Sequence, residues 1–246
     1  MTLKCISSSS KGNCYLLTSS EGSTLVLECG VPMAEIKKAL NYDISGIVGC
    51  VVTHEHNDHA KSIKGMMECG IRCLALEDVF KAKKCKYMTF AVIAEHKKAY
   101  RFGDFKVSAF SVRHDVPCLC YVVEHPEMGK LLFCTDTFML PYRFKGLTRI
   151  MIECNYADDI LQTNMDAGIC PHSLRDRLMT SHMELDTCKE AVKANVCAET
   201  QSVLLLHLSA DNATKERFWT EVSSYCGVPT SCASKGMTLN YDKNPY

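Results

Sequence analysis

A chain of 246 residues can build one large domain with a sizeable core. Its 28 lysines and arginines balance its 28 aspartates and glutamates, so no overall field gathers or repels nucleic acid. Met1–Ser7 carries no apolar signal-peptide run, and no stretch approaches the roughly 18 apolar residues of a membrane span, so a cytoplasmic protein with no membrane partner is expected. The 16 cysteines form no Cys-x-x-Cys pair; without a secretion signal they read as reduced, small core hydrophobes. Cys118 and Cys120, on one face of a predicted strand, are the pair to check for a structural metal.

In chain order, Cys14–Leu17 and Ser23–Glu28 predict adjacent strands across the turn-forming residues 19–22. Pro32–Leu40 predicts a helix, with proline in the first turn and apolar residues at helical spacing. Ile47–Val52 is a nearly continuous apolar strand of the kind buried on both faces. A helical pattern then runs from Asp58 through Ala60, Ile63, Met66 and Met67. Strands follow at Phe105–Val112, Leu119–Val123, Lys130–Cys134 and Ile150–Glu153. Helices at Glu184–Ala194 and Thr214–Ser224 flank a strand at Ser202–Leu206. The class expected is α/β (α+β), a sheet core covered by helices, in one domain over residues 1–246.

Between the Ile47–Val52 strand and the next helix stands Thr53-His54-Glu55-His56-Asn57-Asp58-His59. Imidazole and carboxylate are the usual ligands of zinc-like ions, and His54, His56, Asp58 and His59 exceed what one tetrahedral ion takes from a short turn. Two neighbouring metals explain the excess. Further ligands belong at strand ends, where the backbone is held and the side chain projects. His114, Asp136 and His207 each follow an apolar strand and occupy that station. His96, His125 and His172 lie in polar, loop-like segments and are left out of the site.

The ordered set His54-x-His56-x-Asp58-His59, His114, Asp136 and His207 resembles the motifs of the metallo-β-lactamase superfamily over nearly the whole chain. That resemblance implies a four-layer αβ/βα sandwich with a binuclear site along one edge of its two sheets. It also implies that His54, His56 and His114 hold one metal, that Asp58, His59 and His207 hold the other, and that Asp136 bridges them. Asp58 would also take part in catalysis.

Asp136 stands where the familiar lactamases carry a cysteine, which argues against antibiotic hydrolysis. Glu153 ends an apolar strand, and His182 stands where a helix is expected to begin, with Ser181 and Glu184 placed as a capping box. In ribonuclease Z-like relatives a glutamate and a histidine at these stations form a proton-donating pair, which suits the alkoxide leaving group of a phosphodiester. The intervals around Asp136 leave no room for the arm of ribonuclease Z or the extra domain of the β-CASP nucleases. Ser9–Asn13, Leu25–Gly30 and His207–Asn212 resemble the compact YycJ/WalJ-like exonucleases, with Ser9 in place of their glycine and Glu28 in place of their aspartate.

The reading is a binuclear metal-dependent hydrolase, first of all a DNA exonuclease acting on nucleic acid as its partner. Zinc is favoured by the imidazoles, and manganese is the alternative. A cyclic-nucleotide or small phosphodiester substrate is the second reading, and a glyoxalase II-like thioesterase or lactonase the third. Asp115 is a candidate outer partner of His114. Residues 81–101 collect Lys81, Lys83, Lys84, Lys86, Lys97, Lys98 and Arg101, with Tyr87, Phe90 and Tyr100 interleaved, either a phosphate-tracking patch or a solvated face.

Overall fold

The central strands are buried on both faces, their side chains pointing alternately into one core layer and the next, as between two packed sheets and their covering helices. The computed structural model describes residues 1–86 and 88–244, so Tyr87 of the basic segment lies outside it. The chain begins with β1 (Thr2–Ser9), β2 (Gly12–Thr18), β3 (Thr24–Leu27), α1 (Met33–Ala39) and β4 (Ile47–Val51). It continues through α2 (Asn57–Ala60), α3 (Ile63–Glu68), β5 (Cys73–Ala75), α4 (Glu77–Ala82), β6 (Ala91–Ile93), β7 (Ala99–Phe102) and β8 (Phe105–Val112). Next come β9 (Cys118–His125), β10 (Gly129–Cys134), β11 (Arg149–Glu153), α5 (Asp158–Asp166), α6 (His172–Ser181) and α7 (Leu185–Asn195). The last elements are β12 (Ser202–Leu206), α8 (Lys215–Cys226), β13 (Thr230–Cys232) and β14 (Thr238–Asn240).

One seven-stranded sheet runs β14-β1-β2-β3-β4-β5-β6 and the other β13-β12-β11-β10-β9-β8-β7. Leu131 and Phe133 of β10, with Leu119, Tyr121 and Val123 of β9, meet Leu3, Tyr15, Leu27 and Val51 of the first sheet. The alternate residues Leu132, Cys134, Cys120 and Val122 face α7 and α8 through Leu185, Cys188, Val192 and Phe218. On the far side Val26, Cys50 and Val52 pack against Ile36, Ile63, Met66 and Phe80 of the first-sheet helices. Each such side chain taken fully from water contributes about 1.5–3 kcal/mol before entropy is counted. The result is an αβ/βα sandwich.

Several sequence expectations need correction. The helix expected across 58–67 is two, α2 and α3, because Ser62 turns inward: its N–H donates to Cys29 O (2.8 Å) and its hydroxyl to Val31 O (2.5 Å). The capping box does not form. Ser181 is the last residue of α6, His182 is the C-cap of that helix, and Glu184 itself caps α7 by accepting from the N–H groups of Asp186 and Thr187. His125 and His172 are not loop residues but the last residue of β9 and the first of α6. The sequence gives no expectation for β1, β5 to β7, β13, β14, α4, α5 or α6. Most of these strands are only three or four residues long, and α5 and α6 are polar on average. The cysteines are free among the described residues. Neither Cys118 nor Cys120 enters a metal-competent cluster there.

Candidate metal centre

β10, β11 and β12 are parallel, and β8 runs the same way because β9 is antiparallel to both β8 and β10. Their C-terminal ends therefore share one edge. That edge receives His114 beyond β8, Asp136 beyond β10, Glu153 at the end of β11 and His207 directly after β12. The first sheet contributes His54 beyond β4, and α2 carries Asp58 and His59. All nine sequence-nominated residues arrive at this edge. Among the described residues they form three clusters with donor atoms within 4.8 Å of one another: His54, His56 and His114; Asp58, His59, Asp136 and His207; and Asp136, Glu153, His182 and His207.

Asp136 lies between the first two clusters. Its Oδ2 is 4.0 Å from Nε2 of both His54 and His114, and its Oδ1 is 3.3 Å from His59 Nε2. The same Oδ1 is 3.1 Å from His207 Nδ1. Asp58 Oδ2 approaches His59 Nε2 at 3.4 Å and His207 Nε2 at 3.6 Å. One carboxylate thus turns an oxygen to each side, as a bridging ligand must.

The backs of the rings are held. His114 Nδ1 donates to Ser181 O at 2.7 Å, which leaves Nε2 facing the centre, 2.9 Å from Asp115 Oδ1 and 4.0 Å from Asp136 Oδ2. Thr53 Oγ1 lies 2.9 Å from His54 Nδ1, whereas His59 Nδ1 is buried with no hydrogen-bond partner among the described residues, its nearest carboxylate oxygen being Glu28 Oε1 at 3.5 Å. Such contacts fix ring orientation and tautomer at metal sites. His54 Nε2 and His207 Nε2 are buried with no hydrogen-bond partner. An orphaned buried nitrogen of this kind is costly unless a ligand takes its lone pair. The donor set therefore fits divalent cations.

Electrostatics agree. Burial, reinforced by the neighbouring His59 ring, pushes His54 well below the usual histidine range, and burial also lowers His114. Both are neutral and ready to donate a lone pair. Burial opposes charge on His59 and His207 too, but Asp136 and the other carboxylates hold both well above that range. Positive charge is drawn to this half of the centre, and a cation supplies it as well as a proton does.

Glu153 is fully buried yet accepts four hydrogen bonds. Oε1 receives His182 Nδ1 at 2.6 Å and His207 Nδ1 at 3.1 Å; Oε2 receives the N–H groups of Thr137 at 3.0 Å and Met183 at 3.2 Å. Burial alone would raise its pKa, but His182 and the other donors hold it below the usual carboxylate range. The His182 imidazole is raised despite its own burial, chiefly by the Glu153 charge. Its Nδ1 is engaged, so Nε2 is the nitrogen able to exchange a proton.

Sequence reading left several supporting residues unassigned. Asn13 Nδ2 is 3.2 Å from His59 Nε2, Ser8 Oγ accepts from His207 N at 3.1 Å, and Asn155 Nδ2 donates to His207 O at 2.7 Å. Their signal was position: polar residues in the serine–asparagine run 7–13, or two places after Glu153. Asp115, considered as an outer partner, reaches His114 Nε2 at 2.9 Å and His56 Nε2 at 3.5 Å, on the inner side of both rings. Three residues of the centre, Glu28, Asp136 and His207, have left-handed backbone with φ of 61°, 49° and 54°. Such strain in residues with side chains gathers at functional sites. In the basic segment, Lys83 donates to Asn57 Oδ1 at 2.7 Å, beside the histidine string, whereas Lys81 and Lys98 pair with Glu77 and Glu95.

Two helix-covered sheets whose strand ends meet at a histidine–carboxylate edge are the metallo-β-lactamase fold. Residues 10–68 match the family model described as Metallo-beta-lactamase superfamily. Over 227 residues the chain is 26% identical to the exodeoxyribonuclease YycJ of Bacillus anthracis, covering 86% of this chain and 83% of that protein. The metallo-β-lactamase fold protein YhfI of Bacillus subtilis superposes with a TM-score of 0.73 at 16% identity, over 97% of this chain and 98% of that one. The short form of human tRNase Z superposes at 0.61 and 12% identity, over 98% of this chain and 99% of that one. No helix among the described residues is long and apolar enough to cross a membrane.

Proposed function

We propose that this chain, read as one domain over residues 1–246, is a binuclear phosphodiesterase whose substrate is DNA. His54, His56 and His114 would hold one divalent ion and Asp58, His59 and His207 the other, with Asp136 between them; zinc suits the donors best, with manganese as the alternative. When bound, the two cations lower the pKa of a shared water and neutralise charge on the phosphoryl oxygens. The observation that carries the reading is Glu153 Oε1 at 2.6 Å from His182 Nδ1, beside the cation donors. A thioester hydrolase has little use for a proton donor there, because thiolate leaves readily, whereas an alkoxide must be protonated. His182, held by Glu153, gives its Nε2 proton to the leaving oxygen. It also lines a cavity of about 400 Å³ with Phe138, Tyr156 and Met179, where the leaving alcohol can lie. The 26% identical exodeoxyribonuclease supports DNA as the substrate.

The test is one purified sample of measured metal content, offered 5′-phosphorylated duplex DNA, single strands, cyclic nucleotides and a glutathione thioester. About two ions per chain and cleavage of DNA are expected. Activity on the thioester alone, undiminished in His182→Ala, overturns the reading.

A further inference from the structure

Two segments leave the metal centre side by side and carry rings and cations outward. One is the end of β8, Phe110-Ser111-Val112, with Arg113 beyond it, just before His114; the other is Phe138–Lys145, just after Asp136. The Thr137 hydroxyl staples them at the centre, lying 2.7 Å from Arg113 O and 2.9 Å from Met139 O. Further out the Tyr142 hydroxyl donates to Ser111 O at 2.6 Å. Asn195, buried at the end of α7, brackets the same segment: Oδ1 accepts from Phe144 N at 2.7 Å and Nδ2 donates to Tyr142 O at 3.2 Å. The surface is rigid by construction.

Phe110, Tyr142 and Phe144 make a half-buried ring cluster with centroids 4.8–5.8 Å apart, and the exposed His96 ring lies 6.1 Å from Tyr142. Arg113, Arg143, Lys145 and Lys97 are exposed around it. Neither segment contains a carboxylate. Of the carboxylates flanking the surface, Glu95 pairs with Lys98, while Asp115 and Asp136 face the metal centre, 2.9 Å and 4.0 Å from His114 Nε2. Phe110 is four strand residues from His114, roughly 13 Å at about 3.3 Å each.

We propose that this ring-and-cation surface is a track for single-stranded nucleic acid, holding the nucleotides next to the phosphodiester cleaved at the centre. Rings stack on bases of any sequence and arginine and lysine follow the phosphates, so the track is sequence-tolerant and salt-sensitive. The inference deepens the phosphodiesterase reading and rests on it. Its test uses metal-loaded protein and fluorescein-labelled phosphorothioate oligonucleotides, single-stranded DNA, single-stranded RNA and duplex, followed by anisotropy across a salt series. Single strands should bind more tightly than duplex. Arg143→Glu/Lys145→Glu should weaken them about tenfold or more and reduce the slope of log K against log salt by about 1.4, two contacts at about 0.7 each. The ratio of kcat/KM for a cleavable oligonucleotide to that for bis(p-nitrophenyl) phosphate should fall by a similar factor. Unchanged binding, or an equal loss in the control Lys37→Glu/Lys38→Glu on α1, overturns the proposal. Binding of poly-glutamate that the reversal weakens equally also overturns it, in favour of an acidic protein. If the parent cleaves no phosphodiester, the reading of the centre fails, while anisotropy still decides the track.

Discussion

His182 is the residue on which the chemical reading turns, and its environment sets a testable sign. Burial disfavours its charged form, but Glu153 outweighs burial and holds the imidazolium above the ordinary histidine range. A group that donates a proton is active while protonated, so turnover should fall as pH rises through that raised pKa, and this alkaline limb should vanish in His182→Ala. The variant should lose about 10²–10⁴ in kcat on an alkyl phosphodiester. The loss should be far smaller on a p-nitrophenyl diester, whose leaving group needs no proton. Equal losses on both would mean that His182 only supports the fold.

At the scale of elements, α2 carries two nominated ligands, yet it is only four residues long and cannot be stable by itself. It is held from below: Cys29 N donates to His59 O at 2.9 Å, and Ser62 N donates back to Cys29 O at 2.8 Å. Gly30 makes this approach feasible, since a Cβ there would stand 1.6 Å from Asp58 O. Gly30→Ala should therefore displace α2, costing about 1–3 kcal/mol in melting experiments. Bound metal should fall from about two ions per chain toward one, because Asp58 and His59 serve the same ion. Normal metal content in that variant would show that the backbone yields without moving the ligands.

At the scale of the molecule, the donors come from both sides of the sandwich, His54 to His59 from the first sheet and the rest from strand ends of the second. Cations bound there tie the sheets together and stabilise only the folded state. At a hundredfold excess over Kd each contributes about 2.7 kcal/mol, so chelation should lower Tm by roughly 5–10 °C per ion at this chain length. An unchanged Tm after complete metal removal would deny the centre any part in joining the sheets.

Much of this architecture was legible in the sequence because β10, β11 and β12 are apolar runs that stop at or just before a polar, metal-competent residue. Leu131–Cys134 before Asp136 and Val203–Leu206 before His207 are examples, and the structure gathers those residues at one edge. The short outer strands were illegible because three residues hold too little periodicity. The inward turn of Ser62 and the cap at Glu184 were hidden because partners distant in sequence decide the first, and a one-turn difference in helix start decides the second. Asn13, Asn155 and Thr53 could not be assigned from type alone, since the same residues cap turns everywhere.

Glu28, Asp136 and His207 hold their side chains on left-handed backbone, a conformation in which glycine or asparagine would sit at less cost. At these positions, the substitution that eases the main chain is the one that discards or weakens the functional group. Selection for heat resistance in the metal-free protein and selection for turnover therefore pull the three sites in opposite directions. A lineage that relaxed them would keep its sandwich and lose its chemistry.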